Sequence, residues 1–159
     1  SLRGAPHQHT VVRVDLSEVS RLDARLPSPP GPFPFVAAAV AAALRRHPRL
    51  NARWIDEDDI RLQESVRLAL PEAGSPAPVV RDADRLSVLS LAREIARLRE
   101  AGPRGDDERR GATFALTDGT GSGVLWQAPV LLQPQCGHLF VGEPSGGAAH
   151  LCLAHDLRV

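Results

Sequence analysis

The chain has 159 residues, which is enough for one domain with a sizeable core and too few for two comfortable ones. Its 19 basic side chains balance 19 acidic ones, so no net charge attracts nucleic acid or an anionic membrane surface. All 19 basic residues are arginine, and without lysine this segment can carry neither a Schiff base nor a covalently bound lipoyl group.

Hydropathy and cysteine usage narrow the class of protein further. The longest apolar stretch, residues 33–44, is too short to span a bilayer, and no signal peptide is recognisable at the start. We therefore expect no contact with a membrane and a cytoplasmic location. Cys136 and Cys152 lack metal-ligand spacing, so we expect two small buried hydrophobes and no metal site. The chain does not begin with Met, which suggests a fragment or a processed form.

The chain begins with the pattern of a strand followed by two helices. Residues 10–14 are rich in β-branched side chains and predict a strand. Asp15 and Glu18 have the spacing of a capping box, which predicts a helix with Asp15 as its N-cap and its end at Pro27. A proline-rich loop follows, and then an alanine-rich helix is predicted over residues 35–47.

A hairpin and a third helix are predicted in the middle of the chain. Residues 52–55 and 60–62 flank the acidic run 56–59, which we interpret as a solvated turn rather than a metal site. Residues 87–100 have apolar side chains at helical spacing. The polar, charged segment 101–111 is expected to be mobile.

The remaining elements are predicted to be strands, which cover residues 65–70, 78–80, 112–116, 129–132, 138–141 and 150–154. The glycine-rich run 119–123 is only superficially like a phosphate-binding loop, because no lysine and no helix follow it. A tight turn is the better interpretation. Together these elements predict a single mixed α/β domain.

Five short signatures in this order resemble the acyltransferase catalytic domain of 2-oxo acid dehydrogenase complexes, the dihydrolipoyl transacylase or E2 component. The first is Pro6-His7 with the strand that runs up to Asp15, and the second is the alanine-rich helix with the Asn-Ala pair that ends at Ala52. The other three are residues 78–84, 111–117 and 151–159. Each signature is weak by itself, but the five together span nearly the whole chain.

The resemblance implies a chloramphenicol-acetyltransferase-like fold, in which a mixed sheet packs against helices and the subunits form trimers. It implies active sites between subunits, with coenzyme A and a dihydrolipoyl group of another domain as the substrates. Lipoyl domains and dehydrogenase subunits are the implied partners. The resemblance also implies that residues 1–159 correspond to the family's catalytic domain without its C-terminal D-G segment and closing helix.

The resemblance also assigns candidate site residues. Thr117 occupies the position of the family's oxyanion-stabilising serine, although a threonine at the end of a strand is the simple alternative. Asp156 and Arg158 match the outer residues of the family's D-H-R triplet. The position of its catalytic histidine is Leu157, and leucine cannot accept a proton.

His155 is a weak alternative candidate for the base. On a continuous strand it faces the same way as Leu157, but about 6.6 Å away along the strand. His138 and His150 are predicted to be half-exposed strand histidines, and the pair His7 and His9 has neither the spacing nor the partners of a metal site.

Three functions follow from these observations. The first is acyl transfer between coenzyme A and a dihydrolipoyl thiol, which Thr117 favours and Leu157 opposes. The second is a non-catalytic scaffold that forms a trimeric core or docks partner proteins. The third is a module that binds acyl thioesters without turnover. The position of Leu157 predicts lost or reduced activity, and an H-x-x-x-D-G sequence after Val159 would favour catalysis.

Overall fold

A mixed six-stranded sheet organises the domain, and the computed structural model describes residues 5–72 and 77–159. The strands are β1 (His7–Asp15), β2 (Ala52–Trp54), β3 (Ile60–Leu62), β4 (Leu68–Ala69), β5 (Val79–Val80), β6 (Phe114–Asp118), β7 (Gly137–Val141) and β8 (Ala148–Asp156). The order in the large sheet is β1-β8-β7-β6-β4-β5, while β2 and β3 form a separate hairpin. β6 is parallel to both of its neighbours, and the other pairs are antiparallel.

Three helices accompany the sheet in the part of the chain that the structure describes. They are α1 (Ser17–Asp23), α2 (Phe33–Arg46) and α3 (Val88–Ala101), and short 3-10 helices cover Ala83–Arg85 and Asp106–Glu108. In α3, Leu91, Ile95 and Leu98 are buried on one face, as their helical spacing predicts. Ser87 caps this helix by accepting a hydrogen bond from the Ser90 amide at 3.2 Å.

The main core lies between α2, α3 and one face of the sheet. Side chains that alternate along the central strands, such as Leu116, Leu139 and Val141, share a buried cluster with apolar residues of both helices. Burial of each such side chain stabilises the fold by about 1.5–3 kcal/mol.

The opposite face of the sheet is covered in part by the segment that joins β6 to β7. Two histidines of this face hold successive carbonyls of that segment: His9 Nε2 lies 2.9 Å from the Pro129 oxygen, and His138 Nδ1 lies 2.6 Å from the Val130 oxygen. The segment therefore crosses over the sheet instead of joining it. This explains why the predicted strand at residues 129–132 is wrong.

The start of α1 also differs from the prediction. Asp15 is the last residue of β1, where it pairs with Ala148, so its backbone belongs to the sheet. Its carboxylate accepts hydrogen bonds from the amide and hydroxyl of Ser17. The N-cap is Leu16, no side-chain cap forms, and the helix ends at Asp23 rather than at Pro27.

Other boundaries shift for simple physical reasons. Helix α2 begins two residues earlier than predicted, because Pro34 is tolerated in a first turn whose amide hydrogens need no partner. The predicted strand at 65–70 shrinks to the two residues of β4. The segment 101–111 contains a 3-10 turn that an ion pair between Arg97 and Glu108 ties to α3.

Several predicted elements are confirmed. They include β1, the β2–β3 hairpin, β7, β8 and α3, and the glycine run 119–123 does form a turn. Asp56 accepts hydrogen bonds from the amides of Asp58 and Asp59, which is the geometry of an exposed turn. None of the helices in the described residues is long and apolar enough to cross a membrane.

Candidate functional site

Thr117 lies near the end of β6 at a point where this strand approaches β7 very closely. In the parallel register Thr117 pairs with Phe140, and the next strand places Cys152 beyond it. Two residues later, the Gly119 amide donates to the Val141 carbonyl at 2.8 Å. A Cβ atom at this glycine would collide with the ring of Phe140 and would lie 2.6 Å from the Val141 oxygen. Glycine is therefore needed to hold the end of β6 beside β7.

The hydroxyl of Thr117 is paired with an imidazole. Its Oγ1 lies 2.8 Å from His138 Nε2, and His138 Nδ1 lies 2.6 Å from the carbonyl oxygen of Val130. Because a carbonyl can only accept, Nδ1 carries a hydrogen. In the neutral ring, Nε2 is then the acceptor and the Thr117 hydroxyl donates to it.

His138 departs from its predicted environment. It is 5% exposed, whereas the sequence suggested a half-exposed strand residue. Burial lowers the pKa of His138 below its ordinary value of 6.5, although the hydrogen bond to the Val130 carbonyl partly offsets this effect. The imidazole is consequently uncharged at neutral pH and can accept a proton. The prediction for His150 is confirmed, since that side chain is half-buried on β8.

The second candidate region is the ion pair of Asp156 and Arg158 at the end of β8, which we call the Asp156–Arg158 frame. Asp156 is 0% exposed, and its carboxylate accepts from Arg158 Nε at 2.9 Å and Nη2 at 2.7 Å. The guanidinium of Arg158 also lies 3.8 Å from the ring centre of Trp54. Burial alone would raise the pKa of Asp156, but the hydrogen bonds and charge of Arg158 outweigh it and hold this pKa below its ordinary value.

This frame presents Leu157 to the outside. Strand β8 ends at Asp156, and Leu157 begins a turn in which its amide donates to the Pro6 carbonyl at 2.9 Å. Its side chain is 55% exposed. The position that the resemblance assigns to a catalytic imidazole is thus fixed through its backbone and its two neighbours. It carries an apolar group that contributes nothing to proton transfer.

The two candidate regions do not meet within one chain. Thr117 is two strands away from Cys152, and Asp156 is four residues further along β8. Strand spacings of about 4.8 Å and a rise of about 3.4 Å per residue put Thr117 and Asp156 about 17 Å apart. The structure therefore brings Asp156 and Arg158 together, and Thr117 and His138 together, but it does not join the two pairs.

His155 lies on the wrong face of the sheet to serve Thr117 of the same chain. It pairs with Gly137, whereas the neighbouring residue Ala154 pairs with His138. Since side chains alternate along a strand, His155 and the Thr117–His138 pair lie on opposite faces. The assumption of a continuous strand from His155 through residue 157 is also wrong, because β8 ends before the turn.

The remaining reactive groups are unremarkable in chemical terms. Cys136 and Cys152 are free and buried, as predicted. Burial, followed by the charge of Asp156, raises the pKa of Cys136 to about 11, so its thiol is protonated and unreactive. The rings of His7 and His9 are in edge-to-face contact. Within residues 5–72 and 77–159, no group of three or more potential ligands could hold a metal ion.

Comparison with known proteins decides the family. The model of the 2-oxoacid dehydrogenases acyltransferase (catalytic domain) family matches residues 1–146. The chain belongs to this family. A dihydrolipoyllysine-residue acetyltransferase component of the pyruvate dehydrogenase complex from Mycobacterium bovis is 36% identical over 117 residues, which are 69% of this chain and 21% of that protein. A succinyltransferase component of the 2-oxoglutarate dehydrogenase complex from Bacillus subtilis is 35% identical over 111 residues, 66% of this chain and 26% of its own length.

Solved structures confirm the expected fold class. A probable dihydrolipoamide acetyltransferase from Listeria monocytogenes superposes with a TM-score of 0.86 at 24% identity, over 98% of this chain and 77% of that one. A chloramphenicol acetyltransferase gives a TM-score of 0.59 at 14% identity, over 94% and 78% of the two chains. The chain spans only about a fifth to a quarter of the two curated relatives described above.

Proposed function

We propose that this acyltransferase-family domain transfers an acyl group between coenzyme A and a dihydrolipoyl thiol. In such a reaction one thiol attacks the thioester carbonyl, and negative charge develops on its oxygen. A hydroxyl that donates to this oxygen lowers the barrier by about 3 kcal/mol. The observation that carries the proposal is the Thr117 hydroxyl, which β6 positions beside His138 Nε2 and which can turn its hydrogen from that nitrogen to the substrate oxygen.

The dihydrolipoyl group comes from another domain or another chain, because this segment has no lysine to carry one. A trimer completes the site. Two observations support this assembly: Thr117 and the Asp156–Arg158 frame are too far apart to act together in one subunit, and large apolar side chains such as Val11, Val12 and Trp126 are exposed. A neighbouring subunit can bring its own frame to Thr117.

A non-catalytic role is the second candidate, and Leu157 is the specific observation that favours it. The frame around this position is intact, yet the group that it presents cannot take up a proton. Under this alternative the domain forms the trimeric core or docks partner proteins, and the Asp156–Arg158 pair only orders the end of β8.

Acyl transfer from a panel of acyl-CoAs to dihydrolipoamide distinguishes the two candidates. We expect measurable transfer by the native protein and a decrease of about 100-fold in Thr117→Val, since one oxyanion donor is removed. The matched control is Thr10→Val, which makes the same change on the exposed strand β1, with its trimer content checked by sedimentation because Val11 and Val12 lie next to it. Leu157→His should increase the rate, because a general base contributes about 100-fold or more.

The possible outcomes separate the candidates. Transfer by the native protein or by Leu157→His, with loss in Thr117→Val, supports an acyltransferase site. If neither the native protein nor Leu157→His transfers acyl groups, while sedimentation still reports a trimer, the catalytic proposal is refuted and the scaffold role remains.

A further inference from the structure

We propose that His138 is the base of acyl transfer in this chain and receives the proton of the attacking thiol through the hydroxyl of Thr117. The inference rests on the proposed function and assigns the group that replaces the absent imidazole at position 157. Thr117 contacts the substrate, and His138 acts behind it.

The hydrogen-bond chain has the direction that a relay needs. The Val130 carbonyl fixes the hydrogen on Nδ1 and leaves the lone pair of Nε2 aimed at Thr117 Oγ1, 2.8 Å away. A hydroxyl, an imidazole and a third group that orients the imidazole are the general parts of an activated hydroxyl. Here the third group is a backbone carbonyl, which cannot change its charge.

Burial explains why a relay is necessary. His138 is 5% exposed, so a substrate thiol cannot reach its ring directly, whereas Thr117 is only partly buried. The titratable groups on this face of the neighbouring strands are His7, His9, Arg13 and Asp15 of β1 and His150, Cys152 and Asp156 of β8, and Arg158 pairs with the carboxylate of Asp156. The neutral state of His138 at neutral pH, which its buried position favours, is the state that accepts a proton.

The proton and bond changes balance without any redox partner. As the attacking sulfur bonds to the thioester carbon, its proton passes to Thr117 Oγ1, and the original hydroxyl proton passes to His138 Nε2. The imidazolium now donates to Thr117, so the new hydroxyl hydrogen is free to donate to the oxyanion. When the tetrahedral intermediate collapses, the bond to the leaving sulfur breaks and the proton returns through Thr117 to that thiolate.

The test measures kcat, KM and pH profiles of acyl transfer from acyl-CoA to dihydrolipoamide in the intact protein. His138→Asn keeps an amide donor for the Val130 carbonyl but removes the Nε2 acceptor. We expect kcat to fall by about 100-fold with little change in KM, and the acidic limb of the pH profile to disappear. Thr117→Ser should retain most of the activity.

Controls separate catalysis from structure. His9→Ala removes the neighbouring contact with the Pro129 carbonyl without touching Thr117, and it should leave kcat unchanged. The double variant His138→Asn with Thr117→Val should be no slower than Thr117→Val alone, because residues of one relay are not additive. Nitrogen-15 spectra of the native imidazole should report the neutral Nδ1–H form at neutral pH.

Each contrary result has its own meaning. Full activity of a folded His138→Asn protein, additive losses in the double variant, or an Nε2–H tautomer would each overturn the relay. A native protein that is inactive while Leu157→His is active would also overturn it, but would leave the acyltransferase function standing. Inactivity of both would remove the proposed function as well.

Discussion

The end of β6 and the end of β8 are built in opposite ways. At Thr117 a proton-accepting imidazole is present but buried behind a hydroxyl. At Leu157 a strong ionic frame surrounds a position that is exposed and chemically inert. The comparison shows that the structural support of a backbone position and the reactivity of the side chain at that position are separate properties. The first depends on buried polar pairs, whereas the second depends on one side chain.

The largest expected effect comes from removing the charge of the β8 frame. In Asp156→Asn the buried carboxylate no longer balances Arg158, and we expect the free energy of unfolding to fall by about 3 kcal/mol. Urea unfolding followed by tryptophan fluorescence measures this, since Trp54 lies against Arg158. Glu100→Gln, an exposed change on α3, is the control and should stay within about 0.5 kcal/mol of the native protein. Equal stabilities of the two variants would show that the frame is not structural.

A smaller effect is expected at the end of β6. Gly119→Ala places a methyl group against the Phe140 ring and the Val141 carbonyl, and relieving this contact should cost about 2 kcal/mol. We also expect slower acyl transfer, because the strand that carries Thr117 moves. Gly121→Ala is the comparison in the same turn, although its positive φ adds strain of about 1 kcal/mol. Unchanged kcat in Gly119→Ala would mean that Thr117 does not need this close packing.

The smallest expected effect is on the pH dependence of stability, in which His138 beside β6 and Asp156 on β8 act in different pH ranges. The pKa of His138 is lowered, so the unfolded chain takes up a proton first and stability falls as the pH drops below 6.5. The pKa of Asp156 is also lowered, so its stabilisation is present above 3.8 and is lost as the pH falls below that value. The measurement is the urea midpoint of unfolding between pH 7 and pH 3. We expect the fall in stability below pH 6.5 to be absent in His138→Asn, and the fall below pH 3.8 to be absent in Asp156→Asn. A decline below 6.5 that persists in His138→Asn would assign it to another group.

The elements that depend on periodicity could be predicted from the sequence. Helix α3 and the hairpin have clear apolar spacing and clear turn residues, and both lie close to their predicted positions. The strand at residues 129–132 could not be excluded in this way, because two histidines distant in sequence take up its carbonyl groups. The predicted N-cap role of Asp15 also fails, because pairing with Ala148 keeps its backbone in the sheet.

The candidate site was predictable only in its individual residues. The resemblance to the family's D-H-R triplet assigns Asp156 and Arg158, and the structure shows an ion pair between them. The partnership of Thr117 with His138 is a diagonal contact between parallel strands, and its register is set by packing rather than by local sequence. An available signal was the G-H-L-F-V strand, in which a histidine stands among apolar residues; β7 is buried at every position.

The exposed position of Leu157 has an evolutionary consequence. The amide of Leu157 donates a hydrogen bond to the Pro6 carbonyl, and its neighbours Asp156 and Arg158 form an ion pair with each other. The side chain of Leu157 itself is exposed and takes little part in the core. Substitutions there should therefore be nearly neutral for folding, whatever they do to chemistry. A population of such chains can exchange leucine for histidine, cysteine or glutamate at this site without passing through unfolded intermediates, so a base can be gained here by drift and selection.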